Sequence, residues 1–304
     1  MSLARLKNIC KFIWILAVFV FATLYIIDKK AEIAQMLAAL PLKTLFIAGV
    51  LVIVGKLCLV TNMQQAAGRF SISLGWGDCY RIYNLTQLAK YIPGSIWQFV
   101  GRISILRDRG VHSSSIRDSL LAEHLWVIGS AGLLAIALFF FNLPVFLAIS
   151  HVNTGVVSSS TASMIVVTLI ALFLTFLLSS KRFRCCLRRF SPPHELVPIL
   201  LLTWLFLGAS FWVTLGPYTD SHPSLLYVVG VYSMAFITGF LVPFAPAGLG
   251  VREGVLILGV ISFVGEDIAL MLAAMNRVIY FFVEIGLASL CVRWRIAIPN
   301  VIKK

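Results

Sequence analysis

The segments YIPGSIWQ at residues 91–98 and VPFAPAGLGVRE at 242–253 decide how this 304-residue chain folds. They interrupt two long apolar stretches, Tyr80 to Leu106 and Leu225 to Val264, with prolines and glycines. Proline lacks the amide that an interior helix position needs, and glycine is costly there in backbone entropy, so each stretch reads as helix, loop, helix. Inside a bilayer such a break is tolerated only where protein buries it or a watery cavity meets it. Both loops are therefore places where polar chemistry can sit at membrane depth.

The surrounding composition makes a bilayer the solvent. The chain is 60% hydrophobic and 12% charged, with a mean hydropathy of +0.96. That is about half the ~25% charge of a soluble domain. A soluble fold of this length could hide only part of so much apolar surface. Six uninterrupted segments have the roughly 20 apolar residues that a crossing needs. They run from about Ile9 to Ile27, Leu42 to Thr61, Ser119 to Phe141, Val157 to Leu178, Leu196 to Leu215 and Ile268 to Val292. The first is long and lacks a convincing small-residue cleavage site, so it reads as a retained span rather than a signal peptide. The fold class predicted is an all-α polytopic membrane protein, with six spanning helices and two re-entrant helical hairpins in one integral membrane domain, 1–304.

Lys and Arg number 25 against 12 Asp and Glu, a formal net charge of +13. Nucleic acid is excluded as a partner by the placement of these charges, which fall in short blocks between spans. Clusters at 5–11, 69–117, 181–189 and 293–304 share one side, while Lys29, Lys30 and Lys43 fall on the other among Asp28, Glu32, Asp220, Glu266 and Asp267. The positive-inside rule makes the crowded side cytoplasmic and puts both termini there, in a plasma membrane. Lys90 counts with the cytoplasmic group. Lys56, Arg252 and Arg277 remain inside apolar sequence, and Lys56 is placed to snorkel along its stem.

Followed with this orientation, residues 1–141 and 142–304 have the same order of elements and opposite topology, the layout of an inverted repeat. Pro93 to Arg102 and Pro243 to Arg252 are equal steps, with Gly94 and Gly101 in one copy and Gly248 and Gly250 in the other. Glu123 and His124 follow Pro93 at the offset at which Asn276 and Arg277 follow Pro246. Helices restart at about Ser95 and at Gly250 or Val251, and the first N–H groups of a restarting helix have no intrahelical acceptor. Such ends favour anions, and glycine lets a ligand approach the backbone. The candidate lipid- or anion-binding residues are Pro93, Gly94, Ser95, Arg102, Pro246, Gly248, Gly250, Arg252 and Glu253. Glu123, Asn276, Arg277 and Glu284 are candidate supporting polar residues. A second reading stays open, in which the prolines shape a helix crossing and the arginines snorkel; it suits Arg102 better than Arg252. Arg277 and Glu284 lie two turns apart on one helix face, and either Glu284 or Glu253 can neutralise Arg277, if only as a brace.

KYIPGSIWQFVGR at 90–102 paired with VPFAPAGLGVREG at 242–254 resembles the lysylphosphatidylglycerol synthase transmembrane-region family. The second motif is the more specific, with Ala247 where the family has glycine; in the first, Ser95 stands where the family often has glycine. The resemblance covers essentially the whole chain and implies movement of an anionic phospholipid or a polyprenyl-phosphate-linked precursor between leaflets. With only a short tail after Val292, the synthase activity of the fused relatives is not expected.

Enzymatic readings find little support. The histidines at 112, 124, 151, 194 and 222 lack metal-ligand spacing, and the six cysteines form no CxxC pair. No cofactor or metal is expected. A polyprenyl-phosphate-dependent glycosyltransferase would have to use Asp28 or Glu32. A non-catalytic membrane partner of envelope-glycan or lipid-biosynthesis proteins remains the other alternative to a flippase-like transporter.

Overall fold

Pro41, held at φ −64° and ψ 136°, is the extended residue from which a long proline-free helix starts. The computed structural model describes residues 38, 40–91, 96–141, 188–219, 223–242, 245 and 248–293, all helix, turn or connecting coil. Among them are eight α-helices and two short 3-10 turns. In chain order they are α1 (Leu42–Arg69), α2 (Trp76–Gln87), a 3-10 turn (Leu88–Tyr91), α3 (Trp97–Asp108), α4 (Ser113–Phe141), α5 (Leu196–Leu215), a second 3-10 turn (Gly216–Tyr218), α6 (Leu225–Leu241), α7 (Val251–Val264) and α8 (Glu266–Arg293).

Four described helices are long and apolar enough to cross a membrane: Leu42–Arg69, Ser113–Ala137, Leu196–Tyr218 and Glu266–Cys291. The expected spans at 9–27 and 157–178 lie outside the described residues. α1, α4 and α8 exceed the apolar runs that signalled them, whereas α5 covers Leu196–Leu215 as predicted. At 1.5 Å per residue, α1 is about 42 Å long against a hydrocarbon core of about 30 Å, because its polar last turns continue the helix past the apolar limit near Thr61. α4 likewise begins at Ser113 and not at Ser119.

The first break runs through a 3-10 turn to Tyr91, and helix resumes at Trp97, two residues beyond the expected restart at Ser95. The second resumes at Val251, as predicted, with Gly250 at φ +83° leading into it. Pro93, Gly94, Ser95 and Pro246 lie outside the described residues.

Small residues set the closest crossings. A Cβ at Gly55 would lie 2.8 Å from Leu207, joining α1 to α5; at Gly208 it would lie 2.7 Å from Val229, joining α5 to α6; at Gly259 it would lie 2.3 Å from Val231, joining α7 to α6. Packing between helices in lipid depends on such approach, because lipid tails are as apolar as leucine. The centre holds Trp204, Phe211 and Tyr232, all essentially without solvent contact. α1 packs on α5, α4, α2 and α8; α6 packs on α4, α5 and α7; α8 also packs on α7 and α2; α3 packs on α2 and α4.

At one rim, Arg188 to Ser191 ties α1 to α4. Arg69 donates to the carbonyls of Arg188 and Arg189 at 3.1 and 3.2 Å, and Trp126 donates to Phe190 O at 2.5 Å. Asp118 receives both Arg117 and Arg189.

Candidate functional site

Both breaks open onto one cavity of about 350 Å³. From the first come Gln87, Lys90, Tyr91, Gln98 and Phe99; from the second come Gly239, Phe240, Ala245, Gly248 and Arg252; α4 and α8 contribute Glu123, Arg277 and Tyr280. Predicted residues distant in sequence are thereby brought together: Gly248, Arg252, Glu123 and Arg277 share its wall.

Arg252 is the second residue of α7. Its guanidinium stacks on Tyr232 at 4.7 Å from the ring centroid, lies 5.3 Å from the Tyr280 centroid, and donates to the Tyr232 hydroxyl. Among the described residues no carboxylate lies within salt-bridge distance of it. Desolvated stacking of this kind is worth about 2 kcal/mol for each good contact and leaves the formal charge uncancelled.

The other arginines are neutralised. Arg102 is 2% exposed, meets both oxygens of Glu123 at 2.6 Å through Nη1, and lies over Tyr83 at 4.8 Å. It has no surface on the cavity, so the ligand contact expected of it is replaced by a buried brace between α3 and α4. Arg277 donates to Glu253 at 2.9 Å, which settles which carboxylate serves it. The second Glu253 oxygen accepts from Gly250 N at 2.7 Å. Glu253 therefore caps its own helix start and ties α7 to α8; as a carboxylate at that end it takes the role an anionic ligand was expected to fill.

Glu284 pairs with a different set. Lys56 and Lys90 both donate to Oε1 at 2.5 Å, and Tyr91 donates to Oε2 at 2.8 Å. Lys56 and Glu284 are each 1% exposed. Lys56 thus does not snorkel; its ammonium is buried between Tyr83 and Tyr280, 5.2 and 5.1 Å from their centroids. Lys90, counted with the cytoplasmic cluster from the sequence, sits before the first break on Glu284, 5.0 Å from the Tyr280 centroid. Asn276 is buried, and its amide nitrogen has no partner among the described residues.

In their ordinary ionised forms, Lys56, Lys90, Arg102, Arg252 and Arg277 face Glu123, Glu253 and Glu284. Two positive charges are in excess. Sequence reasoning missed Lys90 and the tyrosines at 83, 91 and 232 as site residues, and placed Tyr280 only on the helix face shared by Arg277 and Glu284. One signal was available, because Tyr83 and Tyr232 precede Arg102 and Arg252 by nearly the same offset. Among the described residues no group of three or more His, Cys, Asp or Glu side chains is placed to hold a metal ion. No protein-family model matches this chain, and no curated protein matches it significantly.

Proposed function

We propose that this chain is a flippase-like transporter that moves an anionic lipid, a phospholipid or a polyprenyl-phosphate-linked precursor, between leaflets of a bacterial plasma membrane. The observation that carries the reading is Arg252: a cation without a carboxylate partner among the described residues, facing a cavity where two helix breaks meet and where positive charge is in excess. Burying charge in lipid is expensive, and a cation left without its counter-ion suits a site whose counter-ion arrives as ligand. The resemblance of 90–102 and 242–254 to the lysylphosphatidylglycerol synthase transmembrane-region family points the same way.

An inverted repeat, with six spans, two re-entrant hairpins and both termini cytoplasmic, completes the proposal. The pattern of helix neighbours supports it. Exchanging α1 with α5, α2 and α3 with α6 and α7, and α4 with α8 maps the packing onto itself: α2 against α8 becomes α6 against α4, and α3 against α4 becomes α7 against α8. The chemistry follows the same exchange, with Arg102 over Tyr83 answered by Arg252 over Tyr232. The Arg102–Glu123 pair is answered by Glu253–Arg277 with its signs reversed.

The test is lipid movement in proteoliposomes. Fluorescent phosphatidylglycerol should exchange leaflets faster with wild-type protein than with Arg252→Gln, and fluorescent phosphatidylcholine should be little accelerated by either. Arg252→Gln with undiminished phosphatidylglycerol movement would turn the reading toward a non-catalytic partner of envelope synthesis.

A further inference from the structure

Glu284 has one negative charge and two ammonium groups on the same oxygen, so one of its two cations is surplus. The two are not equivalent. Lys56 is 1% exposed, has no surface on the cavity, and projects from the middle of α1. Lys90 is 17% exposed and lines the cavity. It belongs to the 3-10 turn Leu88–Tyr91, which contains no buried residue and stands directly before the break. Lys90 and Arg252 both approach the Tyr280 ring, at 5.0 and 5.3 Å from its centroid, as Lys56 does at 5.1 Å, but only Lys90 and Arg252 also line the cavity.

Resting on the lipid-binding reading above, we infer that Lys90 is an exchangeable cation that pairs with Glu284 from the turn Leu88–Tyr91 and is handed to the lipid phosphate, which then binds between Lys90 and Arg252. The exchange leaves no charge stranded. Glu284 keeps Lys56 at 2.5 Å, so no buried carboxylate is left unpaired. The phosphate gains one cation from each broken segment. Arg102 and Arg277 cannot take this part, because each already serves a carboxylate of its own. Tyr91 donates to the other Glu284 oxygen, so the turn stays tied to Glu284 while the Lys90 ammonium leaves it.

Two measurements on the full purified chain test this. In the first, a hydrophobic carbodiimide joins Glu284 to a neighbouring lysine, and peptide mass spectrometry reports which one. Without added lipid both the Lys56 and Lys90 products should form. Phosphatidylglycerol should cut the Lys90 product at least fivefold and spare the Lys56 product, whereas phosphatidylcholine should change neither. Parallel loss of both products, or loss of neither, overturns the exchange.

In the second, phosphatidylglycerol affinity is measured for Lys90→Met, Lys90→Arg and Arg252→Gln. Lys90→Met should bind at least tenfold more weakly at a near-native thermal midpoint, and Lys90→Arg should retain most of the affinity. If Lys90→Met binds like wild type while Arg252→Gln does not, Lys90 stays on Glu284 and the exchange is wrong, although the lipid site stands. If neither variant loses phosphatidylglycerol, the lipid site itself is wrong and the inference goes with it.

Discussion

Gly248 lies so close to Gly239 that a Cβ built on it would be 2.8 Å from the Gly239 Cα and 3.1 Å from its carbonyl carbon and oxygen. Gly248 thus rests on the backbone of α6, the helix that precedes the second break. Gly248 also sits at φ +70°, which L side chains rarely adopt. Clash and dihedral strain act together, so Gly248→Ala should destabilise the protein by about 2 kcal/mol or more. Gly254 is the control: it lies in α7 with open space around its Cα, and Gly254→Ala should be neutral or stabilising by up to ~1 kcal/mol. Thermal midpoints in one detergent check both. Equal losses would mean that the loop yields and the close approach is incidental.

The Lys56–Glu284 pair makes a second prediction. Breaking a buried pair from one side typically costs about 3–5 kcal/mol, whereas removing both charges together is far milder. Glu284→Gln strands Lys56 at 1% exposure beside Lys90 and should lower the thermal midpoint strongly. Glu284→Gln combined with Lys56→Met should recover most of that loss. A double variant no better than the single would show that the cost lies in shape rather than charge.

The proposed inverted repeat would put the turn between α3 and α4 on the cytoplasmic side and the junction of α7 with α8 outside. His112 in the first and Glu266 at the first position of α8 are both exposed. In a background without native cysteines, His112→Cys should be protected from a membrane-impermeant maleimide in right-side-out vesicles, and Glu266→Cys should react. Labelling of both from one face would contradict the repeat.

Much of the fold was legible because its signals are local. Apolar length marks α1, α4, α5 and α8, and the Pro and Gly breaks mark where helix stops. Helix ends were misread where polar residues continue a helix beyond its apolar run, as from Thr61 to Arg69, since hydropathy reports the bilayer rather than the backbone. In the site, Arg252 at a helix start was readable because restarting helices and charge are both visible in the chain. Pairing was not. Whether Arg277 meets Glu253 or Glu284 depends on how α7 and α8 pack, and Lys90 looked cytoplasmic because charge counting has no term for a cation drawn inward by a carboxylate almost two hundred residues away. The tyrosine platforms escaped notice for the same reason: Tyr232 and Tyr280 come from different helices and become one site only when α6 and α8 both flank the α7 start.

The central claim is that the cavity between the two breaks takes an anionic headgroup on Arg252. Its most direct test is a density map of the full chain in nanodiscs containing phosphatidylglycerol, compared with one in phosphatidylcholine alone. The account predicts a phosphate-sized peak within hydrogen-bond distance of the Arg252 guanidinium in the first map, with Lys90 turned from Glu284 toward it, and no such peak in the second. A cavity holding only water or acyl chain in both maps, with Lys90 still on Glu284, would contradict it.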